Sequence, residues 1–325
     1  MRFSLISPTF DRPEEVKEFI SSVSNLDYSR NLFEVILADG TPNDTLRPII
    51  EAESKRCNLE VTTIFKEYLP VSEARNLAAE KAQGEYLIFL DSDCIIPLEY
   101  LKRIDSGLLK YPWDAFGGPD SAPPDFNDLQ KAISFSMTSF WTTGGIRGKK
   151  ISISTYYPRG FNMGVKKDVF KTLKGFDINF KTGEDVEFSI RLVQSKYRVG
   201  FIPEAVVFHK RRSNLLGFYN QVKRFGGARW HLSRRHKGQL KITHMFPVFF
   251  IAYTFIASFL AIFQIMAPLL IVMFYLIMPF FLSGIQNKSV KVGLLSICST
   301  LIMMLAYSKG FLEAVLGGGS HLKRG

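Results

Sequence analysis

The sequence predicts an α/β protein: a mostly parallel sheet with helices on both faces, followed by a helical membrane region. Two observations support this. Apolar stretches of strand length alternate with amphipathic stretches of helix length up to about residue 210. From Met245 to Ile285 the chain then has no charged residue. A bilayer-spanning helix needs about 20 apolar residues, so this length predicts two helices with a turn at 264–268.

The alternation begins with a strand at residues 3–7 and a helix at 13–26, which has Pro13 in its first turn. The elements that follow in the first half are strands at 33–40, 60–66 and 85–93 and helices at 46–56, 71–84 and 97–110. Beyond them we predict a helix at 129–140, a strand, turn and short helix within 157–177, a helix at 183–197, and strand structure up to His209.

Polar residues stand at the ends of three predicted strands. Thr9 and Asp11 follow the first, Asp39 ends the second, and Asp91 and Asp93 end the fourth. In parallel sheets, ligands bind in the crevice beyond the carboxyl ends of the strands. The sequence therefore predicts a ligand site at this edge of the sheet.

Asp91 and Asp93 are separated by one residue at a strand end. Mg²⁺ and Mn²⁺ prefer carboxylate and phosphate oxygens, and alternate residues of a strand point the same way. A solvated acidic turn is the alternative interpretation. The neighbouring polar strand ends favour a metal site.

The formal net charge of +11 is concentrated in one segment, because the ten Lys and Arg residues between His209 and His244 are accompanied by no Asp or Glu. The three cysteines, Cys57, Cys94 and Cys298, have neither metal-ligand nor redox spacing, which indicates a reducing compartment. The N-terminal apolar run is too short for a secretory signal, so we expect the N-terminal part in the cytoplasm.

Five motifs, in order, resemble those of family 2 glycosyltransferases with the GT-A fold. They are SPTFDRPEEV, VILADG, SEARNLAAEKAQGEYLIFLDSD, GFNMGVKKDVFKTLKGFD and GEDVEFSIRL. The resemblance covers about residues 2–212. It implies an inverting enzyme that moves a sugar from a nucleotide-diphosphate sugar, UDP-linked ahead of GDP-linked, to a hydroxyl of a membrane-proximal acceptor. A lipid-linked saccharide of the cell envelope is the expected acceptor.

The resemblance also implies a donor site. Its residues are Pro8, Thr9, Asp11, Asp39, Arg75, Asp91 and Asp93. Asp39 is expected at the nucleotide base, with a loop-capping role as the alternative. Many relatives have two acidic residues at the end of the second strand, whereas this chain has Asp39 alone.

The implied cofactor is Mn²⁺ or Mg²⁺, held by Asp93, Asp91 and His209. A buried structural histidine is the alternative for His209. Asp185 of the GED motif is implied to be the general base that deprotonates the acceptor hydroxyl, and Glu184 beside it could share that work. A helix-start charge is the alternative for this motif.

The acceptor side is expected to involve Trp141, Arg159 and Asn162, although Trp141 suits core packing equally well. Gln221 and Arg224 match residues that help to close the site in relatives. The chain lacks the tighter Gln-x-x-Arg-Trp pattern of polymerising synthases, so we expect transfer of one or a few sugars.

Aromatic residues interleave with the basic residues between His209 and His244, as in some nucleic-acid-binding segments. Because this segment directly precedes the apolar region, we interpret it instead as a cytoplasmic interface segment that binds anionic lipids, and we expect no nucleic-acid partner.

The predicted organisation is a catalytic domain at 1–212, a basic amphipathic segment at 213–244, two or three transmembrane or re-entrant helices at 245–316, and a flexible tail at 317–325. We expect a multi-pass protein of the inner or plasma membrane with a cytoplasmic catalytic domain. A buried hairpin in a soluble protein is the alternative for 245–285. Two other functions stay open: a polyprenyl-phosphate sugar synthase, and an inactive scaffold that binds a nucleotide sugar.

Overall fold

The computed structural model describes residues 1–121, 123, 126–144 and 156–317. The chain divides into two compact units, one of Met1–Pro123 with Lys149–Lys210 and the other of Pro124–Gly148 with Arg211–Gly325. In this division residues 126–144 and the segment from Arg211 onward fold with the C-terminal helices and not with the first unit, whereas the predicted organisation placed 126–144 in the first domain, 1–212.

The first unit contains two sheets whose strands are numbered along the chain. They are β1 (Phe3–Thr9), β2 (Phe33–Asp39), β3 (Val61–Phe65), β4 (Tyr86–Leu90), β5 (Cys94–Ile95), β6 (Ala115–Gly117), β7 (Asp120–Ser121), β8 (Asn162–Lys166), β9 (Val199–Phe201) and β10 (Val207–His209).

The larger sheet has the strand order β3-β2-β1-β4-β8-β6-β9. Strands β3, β2, β1 and β4 are parallel, β8 is antiparallel to both β4 and β6, and β6 is parallel to β9. Thr9 is in register with Asp39, so the polar ends of β1 and β2 are adjacent. The small sheet, β5-β10-β7, pairs His209 with Cys94 and Val207 with Asp120.

Helices cover both faces of the large sheet. Helices α1 (Pro13–Ser24), α2 (Arg47–Arg56) and α4 (Tyr100–Lys110) contribute to one apolar cluster, and α3 (Val71–Lys81), α7 (Lys167–Thr172) and α8 (Glu184–Gln194) contribute to the other. In α1, which was predicted as a helix, the buried Val16, Phe19, Ile20 and Val23 recur at helical spacing. The prediction of a mostly parallel sheet between helices is confirmed.

The second unit is helical in its described residues. It consists of α5 (Asp128–Thr138), α6 (Phe140–Thr143), α9 (Leu215–Arg235), α10 (Ile242–Ile262), α11 (Ala267–Asn287) and α12 (Val290–Val315). Helices α10, α11 and α12 each have the length and the apolar composition needed to cross a membrane. The turn between α10 and α11 lies at the predicted place.

Candidate active site

The first part of the site lies where β1 and β2 end. The Asp39 side chain is fully buried, and its Oδ1 accepts hydrogen bonds from the backbone N–H of Thr41 (2.9 Å) and from Thr41 Oγ1 (2.6 Å). Asp39 Oδ2 and Thr9 Oγ1 are buried without a hydrogen-bond partner. Burial raises the pKa of Asp39, although the hydrogen bonds from Thr41 lower it. Buried polar atoms are nearly always hydrogen-bonded in native proteins, so these two atoms indicate a polar ligand.

Thr41 also holds the loop after β1 in place. The backbone N–H of Asp11 donates to Thr41 Oγ1 over 2.8 Å, and Asp11 has a φ of 50°, in the left-handed region. Asp accepts this conformation more readily than most residues. Asp11, which is exposed, and Pro8, which is half-buried, lie at the ends of β1 and β2. Thr41 contacts both Asp11 and Asp39 and was not predicted as a site residue.

The second part of the site is the acidic pair that follows β4. Asp93 Oδ1 lies 3.1 Å from His209 Nε2, and Asp91 Oδ2 lies 3.9 Å from the same nitrogen. Arg12 forms an ion pair with Asp93 Oδ2. Burial raises the pKa of Asp93, but His209 and Arg12 outweigh it and hold that pKa below its usual range. The structure therefore brings the three predicted metal ligands together.

His209 is held from several directions. Its ring stacks on Phe161 with centroids 5.3 Å apart, and its Nδ1 lies 3.8 Å from the fully buried carboxylate of Asp120. Histidines that bind metals usually direct their second nitrogen toward such an acceptor. Asp120 was not predicted, because nothing in its local sequence, GGPD at 117–120, distinguishes it. Its place beside His209 follows from the pairing of β7 with β10.

The donor set around Asp93 fits a hard divalent cation. Asp93, Cys94 and His209 offer ligand atoms that all lie within 4.8 Å of one another. Burial raises the pKa of the Cys94 thiol well above its usual value, and its Sγ lies 3.8 Å from the carbonyl oxygen of Phe161. A protonated thiol is a poor ligand, whereas carboxylates suit Mg²⁺ or Mn²⁺. The oxygen donors and His209 therefore fit such an ion.

Arg75 links the acidic pair to the GED motif. Its guanidinium is almost fully buried and donates to Asp91 Oδ1 (2.8 Å), Glu184 Oε1 (2.7 Å) and the carbonyl oxygen of Gly160 (3.3 Å). A Cβ atom at Gly160 would lie 2.7 Å from the Arg75 side chain, so glycine permits this approach. Burial raises the pKa of Glu184 to about 7, although Arg75 opposes that rise.

Asp185 differs from Glu184 in its surroundings. Its side chain is only partly buried, and it accepts hydrogen bonds from the backbone N–H groups of Gly160 (2.9 Å) and Val186 (2.8 Å). These two bonds orient the carboxylate at the start of α8. Gly183, immediately before the helix, has a φ of 85°, which glycine adopts without strain.

The predicted acceptor residues are not brought together in the same way. Arg159 pairs through its backbone with Asn162 beside Gly160. Asn162 is fully buried, and its side chain hydrogen-bonds Tyr100, Pro119 and Ala205, so it braces the strands. Its role as an acceptor contact stays a prediction.

The other three predicted acceptor residues lie in the second unit. Trp141 stacks on Tyr275 and donates from its indole nitrogen to the Tyr275 carbonyl oxygen over 3.1 Å. Packing, the alternative stated for Trp141, thus describes its contacts. Gln221 and Arg224 lie on α9, with Gln221 half-buried and Arg224 exposed.

Known proteins share this chain's sequence pattern. The family described as "Glycosyl transferase family 2" matches residues 4–174. The chain is 24% identical to the dolichyl N-acetyl-alpha-D-glucosaminyl phosphate 3-beta-D-2,3-diacetamido-2,3-dideoxy-beta-D-glucuronosyltransferase of Methanococcus voltae, over 98% of this chain and 99% of that enzyme. It is 32% identical to the poly(ribitol-phosphate) beta-N-acetylglucosaminyltransferase TarS of Staphylococcus aureus, over 31% of this chain and only 18% of TarS.

Solved structures show the same fold. The mannosyltransferase PcManGT from Pyrobaculum calidifontis, in complex with GDP-Man and Mn²⁺, superposes with a TM-score of 0.63 at 16% identity, over 98% of this chain and 88% of that one. The crystal structure of S. aureus TarS gives a TM-score of 0.50 at 19% identity, over 80% of this chain and 43% of that one. Both likenesses concern the GT-A fold. Since the family match extends over more than half of the sequence and includes the strand ends and the acidic pair, the chain belongs to glycosyl transferase family 2.

Proposed function

We propose that this protein is an inverting glycosyltransferase that moves a sugar from a nucleotide-diphosphate sugar to a hydroxyl of a lipid-linked saccharide. The observation that carries the proposal is the connected set of side chains in the first unit. Arg75 donates hydrogen bonds to both Asp91 and Glu184, and Asp91 lies beside Asp93 and His209. Arg75 also donates to the carbonyl oxygen of Gly160. The backbone N–H of Gly160 in turn donates to Asp185. A donor site and a base are thereby held in one arrangement.

The donor nucleotide is proposed to bind at the ends of β1 and β2. The buried Asp39 Oδ2 and Thr9 Oγ1 supply polar atoms for the base and ribose, with Pro8 and Asp11 at the rim. A UDP-sugar is favoured by the family resemblance. PcManGT was solved with GDP-Man, so a GDP-sugar belongs in the same test.

Asp93, Asp91 and His209 are proposed to hold Mn²⁺ or Mg²⁺. The bound ion would offset the charge on the departing nucleoside diphosphate. The Asp120 carboxylate lies 3.8 Å from the other ring nitrogen of His209, Nδ1. Arg12, already paired with Asp93, adds a positive charge at the same place and suits a diphosphate.

Asp185 is the proposed general base. It is only partly buried, and its two backbone hydrogen bonds fix the carboxylate while leaving lone pairs for a substrate hydroxyl. It would accept the proton of the acceptor hydroxyl as that oxygen attacks the anomeric carbon from the face opposite the diphosphate. Glu184 forms an ion pair with Arg75, so we assign it a structural role. The family pattern ranks Asp185 ahead of Glu184, and the different contacts of the two carboxylates support that order.

The acceptor is proposed to be a sugar on a membrane lipid. The relative from M. voltae, which aligns over nearly its whole length, is named for transfer to a dolichyl N-acetylglucosaminyl phosphate. Helices α10, α11 and α12 fit attachment to a membrane, and the basic residues of α9 fit anionic lipids. We place the protein at the inner or plasma membrane with its catalytic unit in the cytoplasm, and within the first unit we propose Arg159 as an acceptor contact.

A polyprenyl-phosphate sugar synthase is the second candidate function, because the membrane helices fit a lipid phosphate equally well. Such an acceptor is already an anion and needs no base. Asp185→Asn therefore separates the two functions. It should lower transfer to a hydroxyl by about 10²–10⁴-fold and should largely spare transfer to a phosphate.

The direct test is release of nucleoside diphosphate by the purified protein in detergent, with Mn²⁺ and a panel of UDP- and GDP-sugars. We expect turnover that Asp93→Ala abolishes and that Asp27→Asn, a change to an exposed acid outside the site, leaves intact. Turnover that survives in Asp93→Ala would refute the assigned metal site. Binding of a donor without turnover on any acceptor would instead support an inactive scaffold.

A further inference from the structure

The second unit has two chemically opposite faces. Helix α9 exposes the arginines Arg224, Arg234 and Arg235. Helices α10 and α11 instead expose large apolar side chains at much of their length, among them Phe249, Phe255, Phe259, Ile271, Phe274 and Phe281. Helix α12 contacts all three of these helices, so it lies between the basic helix and the apolar pair.

Helix α9 runs antiparallel to α12 at close range. A Cβ atom at Gly226 would lie 2.1 Å from the carbonyl oxygen of Tyr307, and one at Gly310 would lie 1.9 Å from that of Lys223. Lys223 also pairs with Glu313 over 2.8 Å. A step of three residues forward along α9, from Lys223 to Gly226, thus corresponds to a step of three residues back along α12, from Gly310 to Tyr307. Continuing this pairing places Arg234 about level with Ser299.

Helix α11 runs antiparallel to α12 as well. Ser296 Oγ donates to Ser283 Oγ over 2.7 Å, and a Cβ atom at Gly293 would meet the carbonyl oxygen of Phe280. Continuing this pairing, Ser299 is level with about residue 277 of α11. That residue is ten positions from the start of α11, or about 15 Å along a helix of about 31 Å.

Arg234 is therefore level with the middle of α11. If α11 crossed the bilayer, the exposed Arg234 and its neighbour Arg235 would lie near the centre of the hydrocarbon. An arginine there costs about 2.5–3.5 kcal/mol on insertion scales. Two adjacent exposed arginines make that orientation unfavourable.

A different orientation suits both the basic face of α9 and the apolar face of α10 and α11. Packed helices lie about 8–10 Å apart, so two successive layers place α9 about 16–20 Å from the apolar pair. One leaflet contains about 15 Å of hydrocarbon, half of the bilayer's roughly 30 Å. With the helices along the membrane plane, α10 and α11 lie among acyl chains while α9 lies at the phosphates.

We propose that α9–α12 form a platform within a single leaflet: α10 and α11 are embedded along the membrane plane, α9 binds anionic headgroups, and no helix crosses. This inference rests on the proposed attachment of the unit to a membrane. The predicted multi-pass topology is the alternative, and the two differ in how depth changes along α10.

Spin labels at four exposed positions would report the depth of α10 in the membrane. Ile242, Phe249, Ile256 and Phe263 recur every seven positions and therefore lie on one face of α10 and its end. Each would be replaced by a spin-labelled cysteine in a full-length variant whose natural cysteines are removed. Depth would be measured from collision with oxygen and with a water-soluble nickel complex, in vesicles of phosphatidylcholine and phosphatidylglycerol.

A crossing helix changes depth by about 10 Å per seven residues, and by about 8 Å even when tilted by 40°. The platform requires similar depths at all four positions, with a label at Arg234→Cys at headgroup level. A steady change of depth along the four positions would overturn the platform and leave membrane attachment intact. Full exposure of all four to nickel would overturn membrane attachment itself.

Discussion

Replacing Arg75 by methionine tests whether one buried guanidinium holds the site together. The Arg75 side chain is 3% exposed and pairs with Asp91 and with Glu184, whose own side chain is 11% exposed. Methionine has a similar length but leaves both carboxylates without their cation. Removing one partner of a buried ion pair costs about 3–5 kcal/mol, because the remaining charge is buried without compensation. We expect a loss of that size in the free energy of unfolding.

The control uses the same substitution at an exposed pair. Arg103 and Glu99 form an ion pair with side chains 44% and 54% exposed, so Arg103→Met should cost no more than about 1 kcal/mol. Unfolding of the first unit can be followed by the fluorescence of Trp113 after Trp141 and Trp230 are replaced by phenylalanine. Equal losses in Arg75→Met and Arg103→Met would refute the role given to Arg75.

A second substitution separates charge from packing. The comparison is made at a pH well above 7, where the Glu184 carboxyl is ionised. There, Glu184→Gln in the Arg75→Met background removes one of the two stranded charges while it keeps the side-chain volume. If the cost arises from charge, the double variant should be more stable than Arg75→Met, and the two changes should be strongly non-additive. Additive losses would indicate that Arg75 acts through packing against Phe176.

Two further predictions concern pH and helix packing. Burial raises the pKa of Glu184 to about 7 from its usual 4.5, so between these values the folded state binds a proton that the unfolded chain has released. The free energy of unfolding should therefore fall by up to about 3 kcal/mol as pH rises through this window. Glu184→Gln should flatten this pH dependence when unfolding is followed by Trp113 fluorescence. Parallel curves of stability against pH for the two proteins would contradict this prediction. In the second unit, Gly310→Ala should cost about 1–3 kcal/mol because the added methyl meets the Lys223 carbonyl. Gly284→Ala, whose nearest neighbour is 3.6 Å away, should be nearly neutral, and equal melting temperatures in detergent would argue against the close α9–α12 contact.

Much of the fold could be predicted from the sequence because its signals are local. Helix α1 has a proline at its start and four apolar residues at helical spacing, and the turn between α10 and α11 interrupts a long uncharged stretch. The site formed by acidic residues at strand ends could likewise be predicted, since parallel strands bring their carboxyl ends to one edge of the sheet.

The contacts that organise the site are long-range, and local patterns do not reveal them. Arg75 and Glu184 are 109 residues apart in the sequence, and no periodicity links them. Asp120 reaches His209 through a two-residue strand, which is too short for a pattern. Asn162 was predicted as an acceptor contact because relatives place such contacts in this region, whereas its hydrogen bonds to Tyr100 and Ala205 depend on residues 62 and 43 positions away.

A signal for the placement of residues 126–144 was present in the sequence. Residues 132–146 contain no charged residue, which is unusual for a surface helix of a catalytic domain. In the structure, Ser136 of α5 hydrogen-bonds Ser299 of α12 over 2.6 Å, and Trp141 stacks on Tyr275 of α11. The low charge of this segment reflects its packing against apolar helices.

The adjacent acids of the GED motif point in different directions. Consecutive residues of an α-helix are rotated by about 100° around its axis, so when Glu184 turns inward to Arg75, the direction of Asp185 is set. Arg75 also holds Asp91. One guanidinium thus fixes the position of the proposed base relative to the acidic pair that is proposed to bind the diphosphate. A change at Asp93 or Asp185 acts on one end of this arrangement, whereas a change at Arg75 moves both ends together.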